Sequence, residues 1–278
     1  MSNESALNRH YGDDILEERV ETVLKSEGLD RYDLTWTDLA RFDQFHVGGA
    51  EMSRALAEAA GVRKDDDVLD IGSGLGGPAR MLAATYGCHV TGLDLNPAYA
   101  RIATNLSARA QLADHTTFVE SNALAMPFAD GTFTLAWTQH AAMNIADKSG
   151  LYREIHRVLK PGGRLAIHDV VLGNGKPLEF PLPWSPTAEL SAVVSPETLR
   201  AELQGAGFAE VMWRDMTGDA KAFFASIQRP EADSGQGAPA PANLTALIGP
   251  QFAPLLANMA RHIMDGRLAV IQTIQQAG

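Results

Sequence analysis

The chain has 278 residues, 45% of them hydrophobic and 21% charged, which excludes a disordered chain and suits an α/β domain with added helices. A formal net charge of −11 argues against a nucleic-acid partner, because phosphates are bound by clustered lysine and arginine. Residues 1–10 are polar and no apolar run approaches the roughly 20 residues of a membrane span, so we expect a cytoplasmic protein without a signal peptide or membrane segment.

The N-terminal 60 residues are predicted to be largely helical. Apolar periodicity indicates helices over residues 13–26 and 49–60, joined by an aromatic-rich segment. Such an extension cannot bury a core of its own. We therefore expect residues 1–60 to form a helical cap over the sheet edge, near the ligand.

From about residue 65, short β-type runs alternate with helix-type runs. The predicted strands are residues 67–71, 88–93, 116–119, 133–138, 164–172 and 208–213, and the predicted helices are 78–86, 96–112, 147–159 and 195–205. The single cysteine, Cys88, starts one of these strands and is expected to be buried and inert. The alternation predicts an α/β fold with a Rossmann-like, mostly parallel sheet and helices on both faces.

The position of a seventh strand leaves two alternatives. Residues 219–227 could form it, but their apolar spacing fits a helix at least as well. Residues 229–243 are rich in Pro, Gly and Ala and predict a flexible loop, and residues 244–265 have helical periodicity. β-branched residues favour 268–274 as an antiparallel last strand. The domain of residues 61–278 would then contain a helical insertion at about 216–265.

A glycine-rich turn follows the first predicted strand. Gly72, Gly74 and Gly77 match the dinucleotide fingerprint, and Asp94 ends the next strand, where a carboxylate can bind ribose hydroxyls. Asp70 would repel a pyrophosphate but attract the ammonium and sulfonium of S-adenosylmethionine. Electrostatics therefore favours S-adenosylmethionine over NAD. The structural alternative is a strand-end aspartate bonded to backbone N–H groups.

Four motifs lie at residues 68–77, 92–95, 121–128 and 159–163. They resemble the motifs of class I S-adenosylmethionine-dependent methyltransferases and occur in the same order along the chain. The resemblance implies S-adenosylmethionine as cofactor. It implies contacts to the methionine part from Asp70, Gly72 and Gly74, with Ser73 between them, to the ribose and adenine from Asp94 and Leu95, and to the adenine from Asn122 and Ala123. The family most often has Asp where this chain has Asn122, although an amide oxygen can also accept from the adenine amino group.

Other segments resemble the sarcosine/dimethylglycine N-methyltransferase group among the type 11 methyltransferases. They are residues 42–49, 139–140, 143–145, 180–184, 258–261 and 266–268. Within the first of them, Gln44 and His46 are expected to close over the methionine end of the cofactor; the alternative is a role in fixing a turn. The group includes relatives with other acceptors, so the resemblance indicates a subfamily better than a substrate.

Methyl transfer needs an aligned nucleophile and, for a protonated acceptor, a group that takes a proton. His140 follows the fourth strand at the ligand-binding edge and is the predicted catalytic residue, with Gln139 beside it; the alternative is a turn histidine bonded to backbone. His168 and Asp169 end the fifth strand and could reach the cleft from the side. Loop aromatics are expected to bind the substrate: Trp36, Phe180 and Trp184. No metal-ligand spacing is present.

The predicted acceptor is a small molecule. N-methylation of an amine such as sarcosine or dimethylglycine stands slightly ahead of O- or C-methylation of a secondary metabolite or quinone precursor. A small amino acid would need an arginine for its carboxylate, and the candidates are Arg41, Arg54, Arg153 and Arg261. An NAD-dependent oxidoreductase and a non-enzymatic ligand sensor are the alternatives from other classes. We expect no nucleic-acid or membrane partner, and a homodimer is a hypothesis without a sequence signal.

Overall fold

The computed structural model describes residues 16–227, 247, 249 and 252–278. Within them the strands are β1 (Asp67–Ile71), β2 (His89–Asp94), β3 (Thr116–Glu120), β4 (Phe133–Gln139), β5 (Leu159–Leu172), β6 (Phe208–Asp215) and β7 (Leu268–Ala277). The α-helices are α1 (Leu16–Ser26), α2 (Trp36–Asp43), α3 (Gly49–Ala60), α4 (Gly77–Tyr86), α5 (Pro97–Arg109), α6 (Lys148–Val158), α7 (Pro196–Gly205), α8 (Thr217–Ile227) and α9 (Phe252–Met264).

The strands form one sheet in the order β3-β2-β1-β4-β5-β7-β6. The pairs among β1 to β5 are parallel, and β7 runs antiparallel to β5 and β6. The predicted Rossmann-like α/β sheet with an antiparallel last strand is therefore confirmed. The strand order reverses between β1 and β4, and open α/β sheets bind ligands at the carboxyl ends of the strands beside such a point.

The seventh strand lies at β7, as the β-branched residues predicted. The competing run forms helix α8, because its buried residues Ala220 and Phe224 are four positions apart, on one side of a helix. Helices α8 and α9 both precede β7 in the chain. The loop predicted at 229–243 lies outside the described residues, as does most of the first part of the helix predicted at 244–265.

Two elements differ from the prediction. Strand β5 begins at Leu159 instead of residue 164, because Leu159 already pairs with Phe133 and a register shift absorbs the Lys160–Gly163 turn. Helix α2 lies in the segment for which the sequence predicts only an aromatic-rich connection between two helices. It starts with a capping box, in which Thr35 accepts from the backbone N–H of Asp38 and the Asp38 carboxylate accepts from the backbone N–H of Thr35.

Helices cover both faces of the sheet. Leu56 of α3 and Leu82 of α4 pack in one buried cluster, and Tyr152 of α6 and Leu199 of α7 in another. Helices α1 and α2 bury their apolar residues against α5 and the glycine turn, at Leu75. None of the helices in the described residues is long and apolar enough to cross a membrane.

Cys88 lies directly before β2 and is buried. Burial raises the pKa of its thiol to about 11. The thiolate, which is the nucleophilic form of cysteine, is therefore disfavoured, in agreement with the predicted inert role.

Candidate active site

A cavity of about 930 Å³ opens at the carboxyl ends of β1, β2 and β4. Its lining includes every residue that the sequence assigned to the cofactor and to catalysis: Gln44, His46, Asp70, Gly72, Ser73, Gly74, Asp94, Leu95, Asn122, Ala123, Gln139 and His140. We call the lining residues around the glycine turn the polar end of the cavity, and those contributed by helices α8 and α9 and by Trp184 the apolar end. The size of the cavity and its position at the switch point of the sheet are typical of a ligand site.

The glycine turn exposes its backbone to the cavity. Gly72 has a φ of +75°, and a Cβ there would lie 2.5 Å from the Cβ of Ala141, so only glycine fits. The backbone N–H groups of Gly72 and Ser73 donate to Leu93 O at 2.8 and 3.0 Å, which fixes the turn against β2. The Ser73 hydroxyl is buried without a partner among the described residues.

Two carboxylates stand at this end. Asp70 is buried, and its Oδ2 has no hydrogen-bond partner in the part of the chain that the structure describes, which contradicts a purely backbone-bonded aspartate. Burial, with a smaller contribution from Asp94, raises the pKa of Asp70 to about 7. Asp94 accepts from the backbone N–H groups of Gly74 and Asn96, each at 2.9 Å. Since a carboxylate has about four acceptor positions, Asp94 can still bind a diol.

The segment after β3 forms the next wall of the cavity. Asn122 Oδ1 accepts from the backbone N–H of Leu124 at 2.8 Å and so shapes a turn. Glu154 holds the end of this segment by accepting from the N–H of Met126 at 2.7 Å, and Arg157 donates to Met126 O at 3.2 Å. The amide of Asn122 therefore contributes to the turn, and Asn122 also lines the cavity.

Three histidine rings meet beside the ends of β4 and β5. His140 has a left-handed φ of +48°, and its backbone N–H donates to His168 O at 2.9 Å. The rings of His140 and His168 stack with centroids 5.2 Å apart, and the ring of His46 lies 6.2 Å from that of His140. Burial lowers the pKa of all three, to about 3 for His46, about 4 for His168 and well below its usual range for His140. These imidazoles are therefore neutral.

His140 and Gln139 differ in how they are held. Nε2 of His140 is buried without a partner among the described residues, so a neutral nitrogen is left for a ligand. Gln139 Oε1 accepts from Trp137 Nε1 and from Ser53 Oγ, each at 3.0 Å. Its amide is therefore fixed by the protein. Ser53 was not predicted, because its partner Gln139 is 86 positions away in the sequence.

Aromatic and aliphatic side chains form the other end of the cavity. Trp184 follows β5 in a loop, and its indole donates to Ser191 Oγ at 2.9 Å. Helix α8 adds Phe224, and helix α9 adds Leu256 and Met259. The sequence predicted Trp184 at the site but not the residues of α8 and α9.

Several predicted residues lie elsewhere, which corrects the prediction. Trp36 is not in a loop; it begins α2, outside the cavity lining, and its ring lies 4.9 Å from the guanidinium of Arg54. Phe180 is half-buried beside the apolar end and does not line the cavity.

Of the arginines predicted for a carboxylate, Arg41 and Arg54 line the cavity, whereas Arg153 and Arg261 do not. Arg261 instead pairs with Glu179 at 3.0 Å. His168 and Asp169 lie behind the cavity wall, where His168 Nε2 is bonded to Val47 O at 3.0 Å. Within the described residues, no group of three or more His, Cys, Asp or Glu could hold a metal ion.

Comparison with known sequences gives a family match. Residues 69–167 match the family described as methyltransferase domain. Sterol 24-C-methyltransferase from Eremothecium gossypii is 36% identical over 149 residues, which are 51% of this chain and 40% of that protein. The matched region is therefore less than half of the length of that curated relative.

Comparison with solved structures shows the same fold. Geranyl diphosphate C-methyltransferase from Streptomyces coelicolor, bound to Mg²⁺, geranyl-S-thiolodiphosphate and S-adenosylhomocysteine, has a TM-score of 0.71 at 19% identity and covers 100% of this chain and 99% of that chain. A proposed sarcosine dimethylglycine methyltransferase from Galdieria sulphuraria has a TM-score of 0.59 at 20% identity and covers 81% of this chain and 83% of that chain. At these identities the likeness is one of fold.

Proposed function

We propose that this chain, whose residues 69–167 form a methyltransferase domain of the S-adenosylmethionine-dependent class, methylates an apolar small molecule at an atom that loses a proton. The family match confirms the predicted resemblance and the enzyme class, and the S-adenosylhomocysteine held by a protein of the same fold supports the cofactor class. The family match also removes the NAD-dependent oxidoreductase as an alternative for this domain. The acceptor and the atom that is methylated are the parts that we propose.

The polar end of the cavity fits S-adenosylmethionine. Asp70 offers a buried carboxylate oxygen without a partner among the described residues, and a cationic ligand would stabilise the charged form of that carboxylate. Gly72 and Gly74 allow a ligand to approach the backbone, and Asp94 suits the two ribose hydroxyls. When bound, S-adenosylmethionine supplies a methyl group that is already activated by the adjacent sulfonium.

The choice of acceptor rests on the apolar side chains that line the cavity, which we call the apolar wall. Trp184, Phe224, Leu256 and Met259 face the same cavity as the cofactor residues. Removing apolar surface from water stabilises a complex by about 25 cal/mol per Å². A largely apolar acceptor would gain from this wall, whereas a small zwitterion would lose its hydration there.

An amino acid such as sarcosine or dimethylglycine is the second candidate. Aromatic rings at the apolar end favour a cationic amine. The carboxylate, however, has no obvious partner among the described lining residues. Arg41 already pairs with Glu27 at 2.7 Å, and Arg54 is exposed and lies over the ring of Trp36. We therefore place O- or C-methylation of an apolar acceptor first.

His140 is the residue that we assign to proton transfer. The acceptor oxygen or carbon bonds to the methyl carbon, the carbon–sulfur bond breaks with its electron pair left on sulfur, and the acceptor proton passes to Nε2 of His140. Positive charge thereby moves from the sulfonium to the imidazole, and the net charge of the cavity is unchanged. Asp70 and Asp94 then stabilise the charge at both stages.

Calorimetric titration with S-adenosylmethionine and S-adenosylhomocysteine tests the cofactor site, with Asp94→Ala as the control. An acceptor panel of geraniol, 2-naphthol and ethyl acetoacetate is then compared with sarcosine and dimethylglycine, using trideuteromethyl-labelled cofactor and mass detection of the product. Labelled product from the apolar compounds supports the proposal, and product from the amino acids alone supports the second candidate. Cofactor binding without any turnover would support the ligand sensor.

His140→Gln separates proton transfer from binding in the same assay. The amide fills the space of the ring but is a much weaker base. We expect cofactor affinity within roughly threefold of the wild type and a loss of turnover of at least about 100-fold. A variant with unchanged turnover would remove His140 from the mechanism.

A further inference from the structure

A buried polar network joins three segments that line the cavity. Its centre is Ser53 of α3, which is wholly buried. The Ser53 hydroxyl oxygen lies 3.1 Å from Gln44 Oε1, 2.9 Å from His46 Nε2 and 3.0 Å from Gln139 Oε1. We call these four residues the Ser53 network. The conformation of His46 is thus tied to that of β4 and of helix α3.

The hydrogen-bond partners of His46 determine which ring nitrogen carries the proton. Nε2 of His46 lies 3.0 Å from the carbonyl oxygen of Gly49, which can only accept, and 2.9 Å from Ser53 Oγ, which donates its own proton to a glutamine Oε1. Both neighbours therefore act as acceptors toward Nε2, so Nε2 must donate. Burial, together with His168, lowers the pKa of His46 to about 3, so the ring holds one proton only. Nδ1 is then an acceptor, and no hydrogen bond to it is present among the described residues.

The surroundings of His46 favour a contact between its ring and the methyl acceptor. Val47, the next residue, packs in one buried cluster with Met143, Trp184 and Phe224, which line the apolar end of the cavity. The ring of His46 is also 6.2 Å from that of His140, to which we assign proton transfer. A single acceptor group can therefore contact both rings.

We propose that His46 binds the methyl acceptor directly, accepting a hydrogen bond at Nδ1, and that Ser53 is a positioning residue that holds His46 with Nε2 protonated. This inference rests on the proposed function. It assigns His46 to the acceptor instead of the cofactor, which is the ligand expected for His46 from its position in the sequence. His46 then orients the reacting group while His140 takes its proton.

A matched pair of variants separates the two ring nitrogens. The amide of His46→Gln reaches the place of Nε2 and can still donate to Gly49 O, but it leaves no acceptor near Nδ1. The amide of His46→Asn places its oxygen near Nδ1 and loses the bond to Gly49. Both variants are compared in the complex with S-adenosylhomocysteine, and binding of 2-naphthol is followed by its fluorescence.

We expect both variants to bind S-adenosylhomocysteine within roughly threefold of the wild type, because the affinity of the cofactor site does not depend on Nδ1. His46→Gln should weaken 2-naphthol binding by roughly tenfold or more, and His46→Asn by no more than about threefold. Equal losses in the two variants, or a loss of S-adenosylhomocysteine affinity with unchanged 2-naphthol binding, would overturn the proposal.

Imidazole ¹⁵N spectra of the same complex test the proton position independently of any acceptor. The wild type should show the Nε2–H form for His46, identified as the signals missing from both variants, and Ser53→Ala should add a population with the proton on Nδ1. A wild-type ring protonated on Nδ1 would overturn the proposal. If no compound of the apolar panel binds, the proposed acceptor class fails, and this spectrum alone decides the position of the proton on His46.

Discussion

Burial, with a smaller contribution from Asp94, raises the pKa of Asp70 to about 7. An aspartate in water ionises near pH 4, so the folded chain keeps this carboxyl protonated over about three pH units in which it would otherwise be charged. A cationic ligand favours the ionised form. Asp70 therefore links ligand binding to the release of a proton.

We expect the affinity for S-adenosylmethionine to fall as the pH drops below about 7, by up to roughly tenfold per pH unit, because Asp70 must then lose a proton on binding. Asp70→Asn should bind weakly and without this pH dependence. Calorimetry at several pH values, in two buffers with different ionisation enthalpies, measures both the affinity and the proton released. An identical pH profile for the wild type and the variant would refute the role of Asp70.

Individual residues differed in how far the sequence could predict them. Gly72, Gly74 and Asp94 lie in short local motifs, and the structure places them together at the cavity. Ser53 has no local signal, since a serine within a helix looks like any other until the fold brings Gln139 to it. Trp36 lies outside the cavity lining because Thr35 and Asp38 form a capping box that starts a helix there, whereas its aromatic ring alone predicts a substrate contact from a loop.

At the scale of the elements, a buried ion pair connects helices α2 and α4 beside the site. Asp43 ends α2 and Arg80 lies in α4; their side chains are 2.7 Å apart and both are almost fully buried. Arg80 also donates to Leu75 O and, through Nη1, to Ala103 O at 3.2 Å. This pair fixes the residues that follow α2, Gln44 and His46 among them, against the helix that begins after the glycine turn.

Removing one member of this pair leaves the other buried and unpaired. We expect Arg80→Met to lower the free energy of unfolding by about 3–5 kcal/mol at neutral pH, measured by urea denaturation. The double variant Arg80→Met with Asp43→Asn should recover a large part of that loss, because no uncompensated charge remains. Equal losses in the single and the double variant would show that packing, and not the charge, is responsible.

Helices α8 and α9 supply most of the apolar wall, and the sequence does not predict which of their residues line the cavity. Periodicity predicted a helical insertion before the last strand, and β-branched residues placed that strand. Which face of each helix meets the cavity depends on packing against β7 and Trp184, and no local pattern encodes this. The sequence therefore predicted more of the residues that line the polar end of the cavity than of those that line the apolar end.

We expect Phe224→Ala and Met259→Ala to raise the KM for an apolar acceptor by roughly tenfold each, since each removes a buried side chain from the wall. Their affinity for S-adenosylhomocysteine should stay within roughly threefold of the wild type, because neither side chain is among the residues that we propose to bind the cofactor. Val211→Ala, an exposed residue on β6, is the matched control. Parallel loss of cofactor affinity would mean that the wall supports the whole fold and not the acceptor.

At the scale of the whole molecule, two sets of buried titratable groups have pKa values shifted so that they affect the pH dependence of stability in opposite ways. Carboxyls with a raised pKa bind protons in the folded state that they would lose on unfolding, and histidines with a lowered pKa do the reverse. At pH 5–6 the two sets change the free energy of unfolding with pH in opposite directions, so their contributions partly cancel. The first set includes Asp43, Asp70 and Asp169, with pKa values of about 6, 7 and 7, together with Asp94, and the second set includes His46, His140, His168 and His262.

Asp70→Asn should disturb this balance in the cofactor-free protein. The folded variant binds one proton fewer at pH 5–6, so its free energy of unfolding should rise with pH by about 1.4 kcal/mol per unit more steeply than that of the wild type. Above about pH 7 the wild type carries a buried charge and the variant does not, so the variant should be the more stable of the two. Urea unfolding at pH 5, 6 and 8 measures both effects, and parallel pH profiles would contradict the raised pKa.

The position of β7 between β5 and β6 also has a consequence for biosynthesis. Within the described residues β6 is an edge strand bonded to β7 alone, and β7 is synthesised after it. Strands β1 to β5 can pair as they leave the ribosome, whereas β6 has no place in the sheet until the last strand has emerged. A nascent chain can thus assemble the part of its pocket around the glycine turn first, whereas the part lined by α8 and α9 is completed only after β7 has been synthesised.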